Sequence, residues 1–309
     1  MTHEHPLPEL AERTADLVRA VMSEIRPKLI RAALSGDRGE DTNLRHADNF
    51  LSVHDLWMHR RYQEMLQKVL PSFVYASEEA EPQVIGPDPD PDLCVLVDPL
   101  DTSELAVRGL HGYTHVMIYS RALRRPVVSV VGDIFHHFHL YVGALGADGQ
   151  DRAHLITADS ERHVLTARPP HRLSEALVTN YLMKPAERFR PLARQERLLQ
   201  ALEQPGPDGR SRGRIGVDFG SVSLCHVAAG LTDAVVEFAK GFAIWDLSPG
   251  HHVLHAAGGV VLDLDGNQVP LDYGLDSLAD IAGAMNGRRR FVAAGSMQLA
   301  RDILGVLDV

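Results

Sequence analysis

The sequence predicts a layered α/β sandwich. Helical stretches and short β-branched runs alternate in blocks along the chain, the pattern of sheets covered by helices. The chain has 309 residues, 45% of them hydrophobic, more than one small core requires, so one large unit or two closely packed halves is expected. A third observation marks where chemistry would sit. The apolar run Cys94-Val95-Leu96-Val97 passes at once into Asp98-Pro99-Leu100-Asp101-Thr102-Ser103-Glu104, a short buried strand ending in a rigid acidic turn.

Each element has its own signal. Leu10, Leu17, Val18, Val21, Met22, Ile25, Leu29 and Ile30 recur at three- and four-residue spacing and predict a helix over 8–34 with one apolar stripe. Residues 35–50, with Gly36, Gly39, Asp41 and Asn43, read as a loop. A second helix over 55–70 turns Leu56, Met65, Leu66 and Val69 inward and is stopped by Pro71. A short strand over 73–75 leads into Ser77-Glu78-Glu79, and the Pro- and Asp-rich stretch 81–92 reads as surface loop. After the acidic turn, residues 114–119, 127–131 and 140–142 read as strands, with Arg124-Arg125-Pro126 as one turn between them, and 145–171 as loop and short strand. Residues 176–179 open a second αβ half, so the single unit 1–309 divides near residue 170 into halves 1–170 and 171–309. The second half continues with a basic loop over 203–214, a helical segment over 222–229 and a strand over 234–237. A helix over 248–257, a hairpin around Asp265-Gly266-Asn267, a strand over 291–294 and a helix over 296–307 close the chain.

Composition narrows the functions. The net charge of −10 argues against a nucleic-acid polymer or an anionic membrane as partner, both of which need a basic face. It leaves a phosphorylated substrate open, because a bound cation reverses the local sign. Cys94 and Cys225 lie in apolar surroundings and read as buried thiols, so neither a disulfide framework nor a zinc knuckle is implied. The polar start Met1-Thr-His-Glu-His-Pro carries no signal-peptide pattern, and no apolar run reaches the ~20 residues of a membrane span. A cytoplasmic enzyme is the expectation.

Three acidic clusters fall at element ends, where functional side chains project. Glu78 and Glu79 end one strand, Asp98 and Asp101 end another, and Asp246 follows Trp245 at the opening of a helix. Singly they have plain readings: a solvated loop tip, a turn, an N-cap. Carboxylate oxygens converging on a stiff backbone would instead bind a hard cation.

Order and context carry more than any one cluster. Glu-Glu, then Asp98-Pro99-Leu100-Asp101-Thr102-Ser103, then Gly220-Ser221-Val222-Ser223-Leu224-Cys225, then Trp245-Asp246-Leu247-Ser248-Pro249-Gly250 and His255-Ala256-Ala257-Gly258-Gly259 resembles the inositol monophosphatase family of metal-dependent, lithium-sensitive phosphatases, across roughly residues 10–305. The spacing from Asp55 to Glu78 suits that family's upstream Asp. The resemblance implies an α-β-α-β-α sandwich of the inositol monophosphatase / fructose-1,6-bisphosphatase type. It implies that Glu78, Asp98, Asp101, Asp246 and the backbone carbonyl of Leu100 hold metal ions, and oxygen-only ligands suit Mg²⁺. It gives Ser103, paired with Asp55 beside Glu78, the role of orienting and deprotonating a metal-activated water. It places Asp101, Thr102, Ser103, Gly220, Ser221, Val222, Glu237 and Asp246 around the substrate, with the Thr102 and Ser103 N–H groups, opening a helix, cradling phosphate. The substrate implied is a small phosphorylated metabolite, inositol monophosphate first, with sugar phosphates, histidinol phosphate and 3′-phosphoadenosine 5′-phosphate as alternatives. A homodimer is also implied. A non-catalytic relative that binds metal or phosphorylated ligand is the rival reading.

The chain departs from the family pattern at several points. Thr102 stands where the family has Gly, a residue that commonly serves a special backbone angle or close ligand approach. Leu105 replaces an amide-bearing residue, Ser248-Pro249 replaces Ala-Ala, His255 replaces Glu, and two extra residues fall around 239–241. These changes leave the proposed metal side chains intact and bear on the substrate. The 17 histidines, among them Phe135-His136-His137-Phe138-His139 and His251-His252, suggest zinc only superficially. Neighbouring side chains on a strand point to opposite faces, and no Glu-rich protease signature accompanies His251 and His255. A contact of the 136–139 cluster with substrate is the remaining functional reading. No Gly-Lys-Ser/Thr nucleotide loop, complete EF-hand loop or Gly-x-Ser-x-Gly elbow is present.

Overall fold

The structure, a computed structural model, describes residues 7–41, 50–136, 138–168, 172–206 and 208–308. The amphipathic stripe forms α1 (Glu9–Ser35), which ends where Gly36 turns left-handed at φ 73°. A two-residue pair, β1 (Glu40–Asp41) with β2 (Leu51–Ser52), leads to α2 (Val53–Leu66). This helix starts two residues earlier than its periodicity suggests, because Ser52 and Asp55 close a capping box around its first turn.

The strands β3 (Phe73–Ser77), β4 (Ala80–Ile85), β5 (Leu93–Asp101), β6 (Tyr113–Ser120), β7 (Arg125–Asp133), β8 (Phe138–Leu145), β9 (Asp151–Thr157) and β10 (Arg162–Leu165) form an eight-stranded sheet in the order β10-β9-β8-β7-β6-β5-β3-β4. A single turn of helix, α3 (Ser103–Ala106), follows β5. The stretch expected as loop from residue 81 begins instead as β4. It lies at the sheet edge, where Pro82 removes an N–H that no second ladder needs.

The second half supplies β11 (Leu177–Asn180), α4 (Arg190–Ala193), α5 (Glu196–Glu203), β12 (Arg214–Val217), α6 (Gly220–Ala228), β13 (Ala234–Phe242), α7 (Ile244–Ala256), β14 (Val260–Leu262), α8 (Leu278–Asn286), β15 (Arg289–Ala294) and α9 (Met297–Leu304). Its strands form a five-stranded sheet in the order β12-β11-β13-β15-β14. The hairpin expected after β14 shrinks to one bridge, Leu262 to Gln268, because the Asp263 carboxylate takes the N–H groups of Asp265 and Asn267 and closes the turn early. Residues 169–171, where the division between the halves was expected, lie outside the described residues.

Three apolar layers bind these parts into an α-β-α-β-α sandwich. Val18, Val21, Met22, Ile25 and Leu29 of α1 pack with α2 on one face of the large sheet, against Val95, Val97, Val116 and Val130. The helices α6 and α7 fill the space between the sheets, with Val222, Leu247 and Val253 meeting Val131, Tyr141, Val235 and Phe291. The helices α5 and α9 cover the outer face of the small sheet through Leu198, Leu202, Leu299 and Ile303. Along β5, Val95 and Val97 face α1 and α2 while Cys94 and Leu96 face the opposite side, so the strand is apolar on both faces until Asp98. Ile25 is fully buried in the first layer. Ile25→Ala should lower unfolding free energy by about 3 kcal/mol, read from the urea midpoint at unchanged m-value.

Candidate functional site

Strand pairing brings the first acids together. The parallel register of β3 on β5 sets Ser77 against Val97, and the Glu78 N–H donates to the Val97 carbonyl at 3.1 Å. Glu78 therefore emerges beside Asp98. The register of β5 on β6 shifts between Asp98 and Asp101, where Pro99-Leu100 bulges, so both carboxylates face one cavity. Asp246 reaches the same cavity from the first turn of α7. It is not the helix N-cap, a position held by Ala243.

Carboxylate oxygens of Asp98, Asp101 and Asp246, together with an imidazole nitrogen of His115, lie within 4.8 Å of one another. His115 stands opposite Asp98 in the β5–β6 register. In the sequence it stands beside Thr114 at the start of an apolar strand, with no motif to mark it. Asp98 Oδ1 and Asp101 Oδ2 are buried without a hydrogen-bond partner. Burial first, then the neighbouring acids, push the Glu78 and Asp98 carboxyls well above their usual range. Burial and then Asp101 push Asp246 up to about 6. A divalent cation fits this place: it would pair the orphaned oxygens and neutralise acids that otherwise repel. Glu78, Asp98, Asp101, Asp246 and the Leu100 carbonyl would hold it, all of them on the cavity wall.

Ser103 and Asp55 meet as the resemblance implies. The Ser103 hydroxyl donates to Asp55 Oδ1, with the Leu100 carbonyl at 2.7 Å as the other acceptor in reach. Asp55 does not line the cavity. It sits behind Ser103, and its other oxygen accepts the Ser52 N–H at 2.8 Å and the Ser52 hydroxyl at 2.5 Å. Burial pushes its carboxyl up to about 6, against the lowering by these hydrogen bonds. Thr102 occupies the left-handed region at φ 60°, ψ 39°, a backbone angle that explains a Gly in the family pattern. The helix after it is one turn long, so any phosphate cradle here rests on individual N–H groups rather than a helix dipole.

The substrate-side expectations divide. Gly220 lines the cavity, at φ 42°, where an added Cβ would fall 1.9 Å from Asp101 Oδ2. Ser221 and Val222 do not. Ser221 Oγ donates to the Asp246 carbonyl at 2.6 Å and accepts the Gly250 N–H at 3.2 Å, tying α6 to α7, and Val222 is buried between the sheets. Glu237, expected around the substrate, does not line the cavity either. It is fully buried, 3.3 Å from Arg188 Nε, and accepts the Gly241 N–H at 3.1 Å. The extra residues at 239–241 form a bulge with Gly241 at φ 83°. Glu237 thus seats Arg188, whose guanidinium lies 4.0 Å over the Tyr181 ring. Tyr181, Lys184, Arg188, Lys240, Phe242 and Arg288 line the same cavity as the carboxylates. They come from three stretches of the chain, 181–188, the end of β13 and the residue before β15, and had no motif to announce them.

Among the described residues, no histidine of these clusters lines the cavity. His136 pairs with Asp133 at 2.9 Å, His139 is buried elsewhere, and His137 lies outside the described residues. His251 meets the Tyr273 hydroxyl at 2.8 Å while His255 faces Asp151 at 3.5 Å, so the two do not converge on one ion. Among the described residues no helix is long and apolar enough to cross a membrane.

The inositol monophosphatase family profile matches residues 9–298. The chain is 26% identical over 233 residues to Nus factor SuhB of Pasteurella multocida (strain Pm70), covering 75% of this chain and 79% of that one. It is 34% identical to inositol monophosphatase 2 of Homo sapiens over 103 residues, 32% of each chain. Its fold is similar to that of Leishmania major fructose-1,6-bisphosphatase in holo form, at TM-score 0.66 and 11% identity over 99% of this chain and 97% of that one.

The raised carboxyls make the metal-free protein sensitive to pH. Their folded values lie above the unfolded 3.8–4.5, so the native state holds protons the unfolded chain has released, and stability falls as pH rises from about 4 through about 6 and beyond. In chelator, Tm should drop between about pH 5 and about pH 8, and saturating divalent cation should flatten that drop, as read by calorimetry.

Proposed function

The chain belongs to the inositol monophosphatase family, and we propose that it is a divalent-metal-dependent phosphatase of a small phosphomonoester. The observation that carries this is the pairing of a seated hydroxyl–carboxylate couple, Ser103–Asp55, with three further carboxylates on one cavity. Inositol monophosphate is the first substrate to test, with sugar phosphates, histidinol phosphate and 3′-phosphoadenosine 5′-phosphate beside it. Mg²⁺ is the ion the oxygen donors accept most directly.

When bound, the metal supplies charge neutralisation for the phosphoryl oxygens and acidifies water. The chain does the positioning. Asp55, fixed by two bonds from Ser52, holds the Ser103 proton toward itself and turns a lone pair of Ser103 Oγ to the cavity, where it accepts a hydrogen bond from the attacking water. Lys184, Arg188, Lys240 and Arg288 place positive charge across from the acids, on the side where an anionic substrate would lean. Arg188 is pre-oriented by Glu237 and Tyr181, so little of its freedom remains to be lost on binding.

A second reading, a non-catalytic ligand-binding relative, is favoured by Thr102 in the left-handed corner, since its side chain narrows the place where phosphate would approach. Phosphate release from the substrate panel, without metal and with Mg²⁺ or Mn²⁺, decides between them. Metal-dependent turnover is expected, and its absence on every substrate would overturn the enzyme reading. Ser103→Ala should lower kcat by about a hundredfold or more with KM little changed. The wild-type rate should fall as pH drops through about 6, where Asp55 gains a proton and ceases to accept from Ser103.

A further inference from the structure

We propose that His115 Nε2 is a nitrogen ligand of the metal held by Asp98, Asp101 and Asp246, and that it shifts this position from Mg²⁺ toward Mn²⁺ and other first-row transition ions. The inference rests on the reading of this cluster as a metal site, and not on which phosphomonoester is hydrolysed.

The protonation of the ring follows from its neighbours. Nδ1 lies 3.2 Å from the Trp245 carbonyl and 3.7 Å from Asp98 Oδ2, both of which only accept. Nδ1 therefore keeps a proton, and Nε2 is the nitrogen left to coordinate a cation. A backbone carbonyl that fixes one ring nitrogen while the other faces a cation is the usual support of a metal-bound histidine. Here Nε2 is fully buried, makes no hydrogen bond, and stands 3.3 Å from Asp101 Oδ2, which has no hydrogen-bond partner either. Two buried polar atoms thus face each other with no hydrogen bond made by either. A cation between them satisfies both.

The position is also rigid. His115 is held by the ladder of β6 directly opposite Asp98, and Gly220 approaches so closely that an added Cβ would lie 3.2 Å from the ring's Cε1. The imidazole cannot swing away to another partner. Oxygen-only sites suit Mg²⁺, which dehydrates reluctantly and prefers oxygen, whereas an imidazole donor favours later first-row ions. One nitrogen among three carboxylates matches Mn²⁺ best as a probe, since that ion also tolerates oxygen-rich sites.

The test uses the full-length protein loaded with one equivalent of Mn²⁺ and read by pulsed EPR. The wild type should show a directly coupled ¹⁴N that changes to ¹⁵N when only histidine is isotopically labelled, and His115→Ala should lose it. By equilibrium dialysis, the ratio of Mn²⁺ to Mg²⁺ affinity should fall by at least about tenfold in His115→Ala and in the bulkier oxygen donor His115→Gln. A wild-type spectrum without coordinated nitrogen would overturn the proposal, and needs no variant to fold. So would an unchanged affinity ratio in a folded variant. Nitrogen coupling without phosphate release from any substrate would leave His115 as a ligand and overturn the phosphatase reading alone.

Discussion

The mutual repulsion of buried carboxylates is the constraint around which this molecule is arranged. Glu78, Asp98, Asp101 and Asp246 would move apart if their backbones allowed it. Each is instead anchored by an element whose own stability lies elsewhere. The apolar faces of β5 are sealed by α1 and α2 on one side and by Trp245 and Tyr273 among others on the opposite side. The helix α7 is wedged between two sheets. Packing energy at a distance thus holds charge in a configuration that charge alone would reject, and a cation turns that tension into affinity.

The cavity has two unlike walls, and they come from different parts of the chain. The acidic wall is built almost wholly by the large sheet and its turn. The basic wall comes from the second half, where Glu187 pairs with Lys240 and Glu237 with Arg188. Those pairings place the cations without spending their whole charge on the protein. A small anionic ligand bridging metal and cations would find its phosphate and its body addressed by separate sets of residues, so chemistry and selectivity can vary independently.

Most of the acidic wall was legible in the sequence because its residues fall in short contiguous motifs. The strand 94–97 ends where its apolar run ends, and the Asp-Pro-Leu-Asp turn carries its own rigidity. The capping box around Asp55 extended α2 past its periodic signal. The rest was illegible for distinct reasons. Ser221, Val222 and Glu237 lie in the expected segments, but a helix or strand offers only some of its side chains to any one cavity, and theirs face α7, the core and Arg188. Tyr181 and Lys184 share one segment but lie far in the chain from Lys240 and Arg288, and the tertiary fold alone brings them to one cavity. The edge strand β4 was hidden by Pro82, which is tolerated only because no further strand pairs there. His115 was hidden by its apolar neighbours on β6, and only the register that sets it opposite Asp98 reveals what it faces.

Thr102 makes the acidic corner dependent on the rest of the fold. A β-branched residue in the left-handed region lies uphill by about 1–2 kcal/mol, so the acidic corner has no tendency to form in a free chain. It is held by the pairing of β5 with β6 and by the meeting of Ser103 with Asp55, forty-eight residues earlier in the chain. The shape of this corner is thus imposed from outside it, and a peptide cut from residues 98–106 would not keep it.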